Sequence, residues 1–144
     1  MANYPQLKFD DSATILYATN LYSGSDADLD NTAPVDDTDG YTQNIDLIAK
    51  TGININFKFD ASGSTDNLIL KLFRNNTSSW DDNEILIDEI EIDNDGSEDI
   101  YSYVIDALQY GAGHYRFSMQ SESSNDTFDI EVKGYYWRFE IATS

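Results

Sequence analysis

Between Gly52 and Asp60 the chain alternates with a period of two: Ile53, Ile55, Phe57 and Phe59 share one parity, and Asn54, Asn56, Lys58 and Asp60 share the other. Only an extended strand with one face buried and one in water satisfies that pattern, because helix faces repeat every 3.6 residues. A half-buried strand of this kind belongs to an antiparallel sheet. Related segments recur along the chain: Ala13, Ile15, Tyr17 and Leu21; Ile45 and Leu47; Leu68, Leu70 and Leu72; Tyr101, Tyr103 and Ile105; Tyr115, Phe117 and Met119. Helical periodicity is arguable only from Tyr103 to Leu108, which is too short to define a helix. About eight strands without a convincing helix predict an all-β fold, a two-sheet antiparallel β-sandwich of jelly-roll type. Residues 12–144 read as a single β-sandwich domain, and residues 1–11 as an extended N-terminal arm.

Two strands change parity part-way, and a one-residue change would turn half of the apolar set to solvent. Ile85 and Ile87 are odd whereas Ile90 and Ile92 are even, which predicts a β-bulge at Asp88-Glu89 that keeps all four inward. Phe128, Ile130 and Val132 are even whereas Tyr135, Trp137, Phe139 and Ile141 are odd, which predicts a second bulge at Gly134. The run Asp93-Asn94-Asp95-Gly96 has the chemistry of a hairpin turn. Leu68 to Phe73 carries apolar residues on both faces, Ile69 and Phe73 opposing the leucines, which points to a second contact surface.

Net charge bounds the partners. The chain carries 27 acidic residues against 8 Lys and Arg, a formal charge of -19, yet 40% of it is hydrophobic, enough to fill one core. A rigid domain with an acidic skin is therefore expected. Such a surface is repelled by phosphate backbones and anionic lipid, and no segment approaches the roughly 20 apolar residues of a membrane span. Nucleic acid and membrane are thus not expected as partners, leaving cations, neutral carbohydrate or a protein surface of complementary charge. With no cysteine there is no disulfide, thiolate metal site or thiol nucleophile. Met1 to Leu16 lacks the continuous apolar run of a signal peptide, so synthesis without export is the expectation.

The stretch from Ser23 to Thr42 is polar, about twenty residues long, and by loop-length statistics either functional or mobile. Within it Asp26, Asp28 and Asp30 have the alternate spacing of a calcium loop, with Asp37 at the twelfth position. Asn31 stands where such loops have glycine, and no helices flank the segment. A Ca²⁺ site and a solvated acidic loop both stay open, the second being the commoner outcome in a chain with twenty aspartates. Asp93, Asp95 and Asp99 form a second cluster that a turn explains.

No catalytic residues are expected. His114 is the only imidazole, no nucleophile elbow, phosphate loop or dinucleotide fingerprint is present, and the many acids single out no carboxylate pair. Exposed aromatics offer another chemistry: Tyr41, Trp80, Tyr110 and Tyr136, in loops or on the outer face of a strand, present flat faces able to stack on sugar rings, against the commoner role of Trp80 and Tyr110 as plugs at the ends of a sandwich.

Gly111-Ala112-Gly113-His114-Tyr115-Arg116-Phe117, followed by Asp126-Thr127-Phe128-Asp129-Ile130-Glu131-Val132, resembles the closing hairpin of bacterial β-sandwich accessory modules, carbohydrate-binding ones among them. In size, composition and organisation the chain is also similar to the jelly-roll decoration and accessory proteins of tailed-bacteriophage virions. That likeness implies a non-enzymatic virion structural protein, made in the host cytoplasm, which docks on capsid or other virion proteins and assembles as a homo-oligomer, a trimer favoured. The docking residues expected on that reading are Leu7, Phe9, Ile69, Phe73, Tyr135 and Tyr136. The alternative is a carbohydrate-binding module or lectin-like adhesin, calcium dependent if the aspartate loop binds the ion.

Overall fold

A computed structural model describes residues 5–7, 13–28, 40–48, 50–60, 67–80, 84–95, 97–122, 127–139 and 141–143. Ten strands and one helical turn are present among them: β1 (Pro5–Leu7), β2 (Ala13–Asp28), β3 (Ile45–Asp46), β4 (Gly52–Asp60), β5 (Leu68–Asn75), β6 (Ile85–Ile92), β7 (Asp99–Asp106), α1 (Ala107–Tyr110), β8 (His114–Ser121), β9 (Thr127–Phe139) and β10 (Ile141–Thr143). Eight of the strands form two four-stranded antiparallel sheets, ordered β2-β9-β4-β7 and β3-β8-β5-β6. Only β5 and β6 are both consecutive and paired; every other step from β2 to β9 changes sheet, the wrapped order of a jelly roll. The fold expected from the periodicity is therefore the fold observed. Inside the expected arm, residues 5–7 pair with β10, Leu7 opposite Ile141.

The alternation in β4 does what its period dictates. Ile53, Ile55, Phe57 and Phe59 are all buried, facing Leu68, Leu70 and Leu72 of β5 and Tyr115, Phe117 and Met119 of β8 within one core. Phe57 and Tyr103 each meet Phe117 edge to face, with centroids 5.0 and 5.3 Å apart, the favoured geometry for aromatic quadrupoles.

Both parity changes have a different solution from the one expected. In β9 there is no bulge: its register with β4 runs unbroken from Asp129 to Trp137, and Tyr136 stays on the inward parity with 4% exposure. The extra residues lie in the partner strand. β2 has sixteen residues against thirteen in β9, and the pairing slips three times, between Ile15 and Tyr17, Asn20 and Tyr22, and Gly24 and Ala27. The middle slip turns Leu21 into the core, and its carbonyl accepts from the Gln43 amide at 2.9 Å. Gly134 is the notch that receives it: a Cβ there would lie 3.0 Å from Leu21 Cδ1 and 2.6 Å from Ile53 Cδ1.

In β6 the bulge exists but one residue earlier than expected. Leu72 faces Asp88 and Phe73 faces Leu86, so Ile87 is the extra residue. Ile87, Ile90 and Ile92 pack on the core, whereas Ile85, opposite Arg74 past its end, is 62% exposed. The turn after β6 is no hairpin either. β6 and β7 are edges of different sheets, so the chain changes sheet between them, and Asn67 Oδ1 accepts from the Asn94 amide just past β6. By the same token β8 and β9 lie in opposite sheets and do not form a closing hairpin. Turn residues encode a change of direction, not the strand that is met afterwards.

The polar stretch expected from Ser23 to Thr42 is shorter than its composition implied, because β2 continues to Asp28 against Thr127–Glu131. The helical hint near Tyr103 resolves into strand through Asp106 and one turn, Ala107–Tyr110, whose Leu108 amide is capped by Asp106 at 2.8 Å. That turn ends on Gly111 at φ 95°, a conformation open to glycine.

Candidate functional site

Along β8 the odd residues fill the core, which sends His114, Arg116, Ser118 and Gln120 to the outer face of their sheet. A polar row on an outer face is ordinarily solvated; here Arg116, Ser118 and Gln120 are buried, Arg116 to 8% and Ser118 to 1% exposure. Two aromatic rings account for Arg116. Tyr41 bridges to Ser118 across the sheet edge and leans its ring over the guanidinium, 3.7 Å from centroid to Cζ, while Trp80, in the segment after β5, stands 4.6 Å away. A guanidinium stacked on aromatic faces gains a cation–π attraction that grows with desolvation. Glu84 supplies the counter-charge, its Oε1 3.3 Å from Arg116 Nη2.

Trp80 is fixed from a second side. Its Nε1–H donates to Asn44 Oδ1 at 3.2 Å, and Asn44 Nδ2 lies 3.1 Å from His114 Nδ1. Asn44 belongs to the segment that enters β3, itself zipped to β8 by the Thr42 amide on the Phe117 carbonyl and by the Phe117 amide on Thr42 Oγ1, each at 3.0 Å. The cluster thus joins residues 41–44, Trp80 with Glu84, and residues 114–118.

Its hydrogen bonding is incomplete. Among the described residues Arg116 Nε, Glu84 Oε2 and Ser118 Oγ are all buried without a partner. Buried polar atoms are almost always satisfied, so three orphans on one face call for water or a polar ligand. Together they offer a donor, an acceptor and a hydroxyl that is both.

The expected site residues distribute unevenly around this cluster. Trp80 belongs to it. Phe73 pairs across the sheet with Arg116 and Ile69 with Gln120, so both line the same outer face, half-buried. Tyr135 lies half-buried on the outer face of the opposite sheet, next to Asn54. Tyr136, expected at an interface, is instead part of the chain's own core, because β9 keeps its parity; its hydroxyl faces the Asp46 amide at 3.3 Å. Tyr110 packs against the end of the core, its hydroxyl 3.3 Å from that of Tyr103, the plugging role. For Leu7 only the strand pairing is defined, and Phe9 lies outside the described residues.

Two of the four aspartates expected to hold calcium lie among the described residues. The backbone of Asp26 and Asp28 is strand, and Asp30 and Asp37 lie outside the described residues. Among the described residues no group of three or more His, Asp or Glu is arranged to hold a metal ion. Acidic side chains do gather at one end of the other sheet, where Asp60, Glu98, Asp129 and Glu131 line a hollow of about 270 Å³ beside Lys58.

Tyr41, like Trp80, was expected as an exposed aromatic, whereas Arg116, Glu84 and Asn44 escaped the sequence reading, since they are up to 72 positions apart and each is ordinary alone. The available signal was the outward row on β8, whose spacing placed Arg116 beside His114 and Ser118.

No protein family and no curated protein matches the chain. Among solved structures it is similar to the Clostridium thermocellum N-terminal endo-1,4-beta-D-xylanase 10B, CBM22-1-GH10 modules, complexed with xylohexaose. That likeness has a TM-score of 0.45 at 15% identity, over 88% of this chain and 26% of that one. The chain spans about a quarter of that protein's length.

Proposed function

We propose that the protein is a non-catalytic binding module and that its ligand is a neutral saccharide, seated on the outer face of the β3-β8-β5-β6 sheet around Trp80. The observation that carries this reading is the pair of aromatic rings locked on one guanidinium, beside three buried polar atoms that the chain leaves unsatisfied. A pyranose matches both features, with a C–H face for stacking on an indole and a dense set of hydroxyls that donate and accept. Neutrality follows from the charge of -19, which disfavours acidic glycans at long range. Asn44, bonded to the indole N–H, His114 bonded to Asn44, and Glu84 paired with the stacked guanidinium are the polar groups that would set specificity.

The test is a glycan array followed by calorimetry on the best hit. Wild type should bind a neutral oligosaccharide, and Trp80→Ala should weaken it at least tenfold, about 1.4 kcal/mol or more, with an unchanged circular dichroism spectrum. Absence of binding across the array, or a Trp80→Ala variant with full affinity, would refute the reading.

A virion role, docking on capsid or other virion proteins as a homo-oligomer, is the second reading. What favours it is the apolar surface on the two edge strands, Ile85 and Leu86 on β6, Ile100 and Val104 on β7, of which Ile85 and Ile100 are both 62% exposed. Paired edges of this kind are places where further chain adds or another surface docks. Sedimentation at micromolar concentration tests it: a monomer that also fails to bind isolated capsids removes it.

A further inference from the structure

We infer that Asn44 and His114 are the positioning residues for Trp80, and that the proton on His114 decides whether the indole is held. The inference rests on the saccharide reading only in what it says about affinity; the coupling itself is a property of the free protein.

An indole N–H can donate and cannot accept, so the Asn44 atom 3.2 Å from Trp80 Nε1 is the amide oxygen. That orientation points the Asn44 NH₂ at His114 Nδ1, 3.1 Å away, and an NH₂ can only donate. Nδ1 must therefore carry the lone pair, and the imidazole is neutral with its proton on Nε2. Three side chains from three segments thus settle one another's orientation, starting from the one group whose role is invariant.

Protonation breaks the chain of roles. In the imidazolium both ring nitrogens donate, so Nδ1–H would face the Asn44 NH₂. Turning the amide over restores a bond to His114 but then sets the NH₂ against Trp80 Nε1–H. Every arrangement loses one of the two hydrogen bonds, and the amide reversal, which satisfies the charged partner, is the stronger because hydrogen bonds to ionised groups are worth more than neutral ones. Among the described residues Trp80 then keeps the guanidinium stack and loses its hydrogen bond to Asn44.

The groups around His114 can accommodate the charge. Asp46 faces it across β3, its Oδ1 already accepting from the Ile48 amide, and Lys50 Nζ binds the Asp46 carbonyl. On β5 its partner is the uncharged Asn75, next to Arg74. Along β8 itself Arg116 is the nearest like charge, held by Glu84. The held state belongs to the neutral imidazole and the released state to the imidazolium.

The two tryptophans give two indole N–H signals in a proton–nitrogen correlation spectrum, and Trp137, bound to Asn54 at 3.0 Å, is the internal reference. Between pH 8 and 5 the Trp80 signal should move along the same titration curve as the His114 ring protons while that of Trp137 stays. In His114→Asn the Trp80 signal should be independent of pH over this range. Affinity for the saccharide should fall about fivefold on acidification, the worth of one hydrogen bond, and His114→Asn should abolish that pH dependence. A Trp80 signal that does not titrate in the wild type, or one that titrates unchanged in His114→Asn, overturns the inference. A titrating Trp80 in a protein that binds no saccharide upholds the coupling and removes only the proposed ligand.

Discussion

Replacing Gly134 by alanine tests the packing of the sandwich at a tight point of its core. The new methyl would lie 2.6 Å from Ile53 Cδ1, 3.0 Å from Leu21 Cδ1 and 3.2 Å from Ile53 Cγ1, all from buried residues in the interior of the sheet. Overfilling a packed core by one methyl costs about 1–3 kcal/mol, and the lost chain freedom of glycine in the unfolded state returns about 0.4–1 kcal/mol. The net expectation is a loss of about 1–2 kcal/mol, or about 3–6 °C in Tm for a domain of this size. Ile53→Val deletes the methyl nearest the intruder and alone should cost about 0.5–1.5 kcal/mol. Combined, the two should be less harmful than their sum by about 1 kcal/mol, because the alanine methyl occupies the space that the isoleucine vacates. Urea unfolding of wild type, both single variants and the double variant closes the cycle. If Gly134→Ala is as stable as wild type, or if the two losses add, glycine is not there to admit Leu21 and Ile53, and the account of the β2–β9 pairing fails with it.

Two further perturbations probe the cluster and the edge. Arg116→Ala leaves the Glu84 carboxylate without its counter-ion and two rings without their cation, at side-chain exposures of 10% and 17% for the ion pair; the urea midpoint should fall by the equivalent of about 2–4 kcal/mol with an unchanged slope. An unaltered midpoint would mean that the guanidinium does not organise the site. Burial first, and then bonds to Tyr110 and to Asp88 at 2.9 Å, hold the Tyr103 hydroxyl protonated well above its ordinary 10.0. A raised folded-state pKa means stability that is complete below pH 10 and lost as pH rises beyond it. Tyr103→Phe should therefore flatten the fall in Tm between pH 10 and 12, though not abolish it, since burial raises Tyr115 as well. An identical alkaline slope in the variant would contradict that assignment.

Much of the sandwich was legible in the chain, and the places where reading failed share one cause. Strand existence and facing follow from local alternation, so the inward sets of β4, β5 and β8 were evident from residues such as Ile55, Leu70 and Phe117. Where a strand slips depends on its neighbour. The odd apolar residues Tyr135 and Trp137 looked like evidence for a bulge at Gly134, but they are outer-face aromatics on an unbroken strand, and the extra residues are in β2. Likewise Asp93-Asn94-Asp95-Gly96 announces a turn and carries no information that the next strand joins the other sheet.

The candidate site shows the same division more sharply. Period-two hydrophobicity, the lack of cysteine and the charge of -19 are additive properties of the residues themselves, and they determined an acidic all-β domain before any partner strand was known. The Tyr41–Arg116–Trp80 stack and the Trp80–Asn44–His114 relay are contacts between segments up to 75 residues apart, made because β3 and β8 pair at a sheet edge and the chain after β5 folds back over their outer face. Hydrogen-bond roles and ring stacking act over a few ångströms, so no pattern along the chain encodes them; tertiary structure alone decided which of the many polar residues would meet.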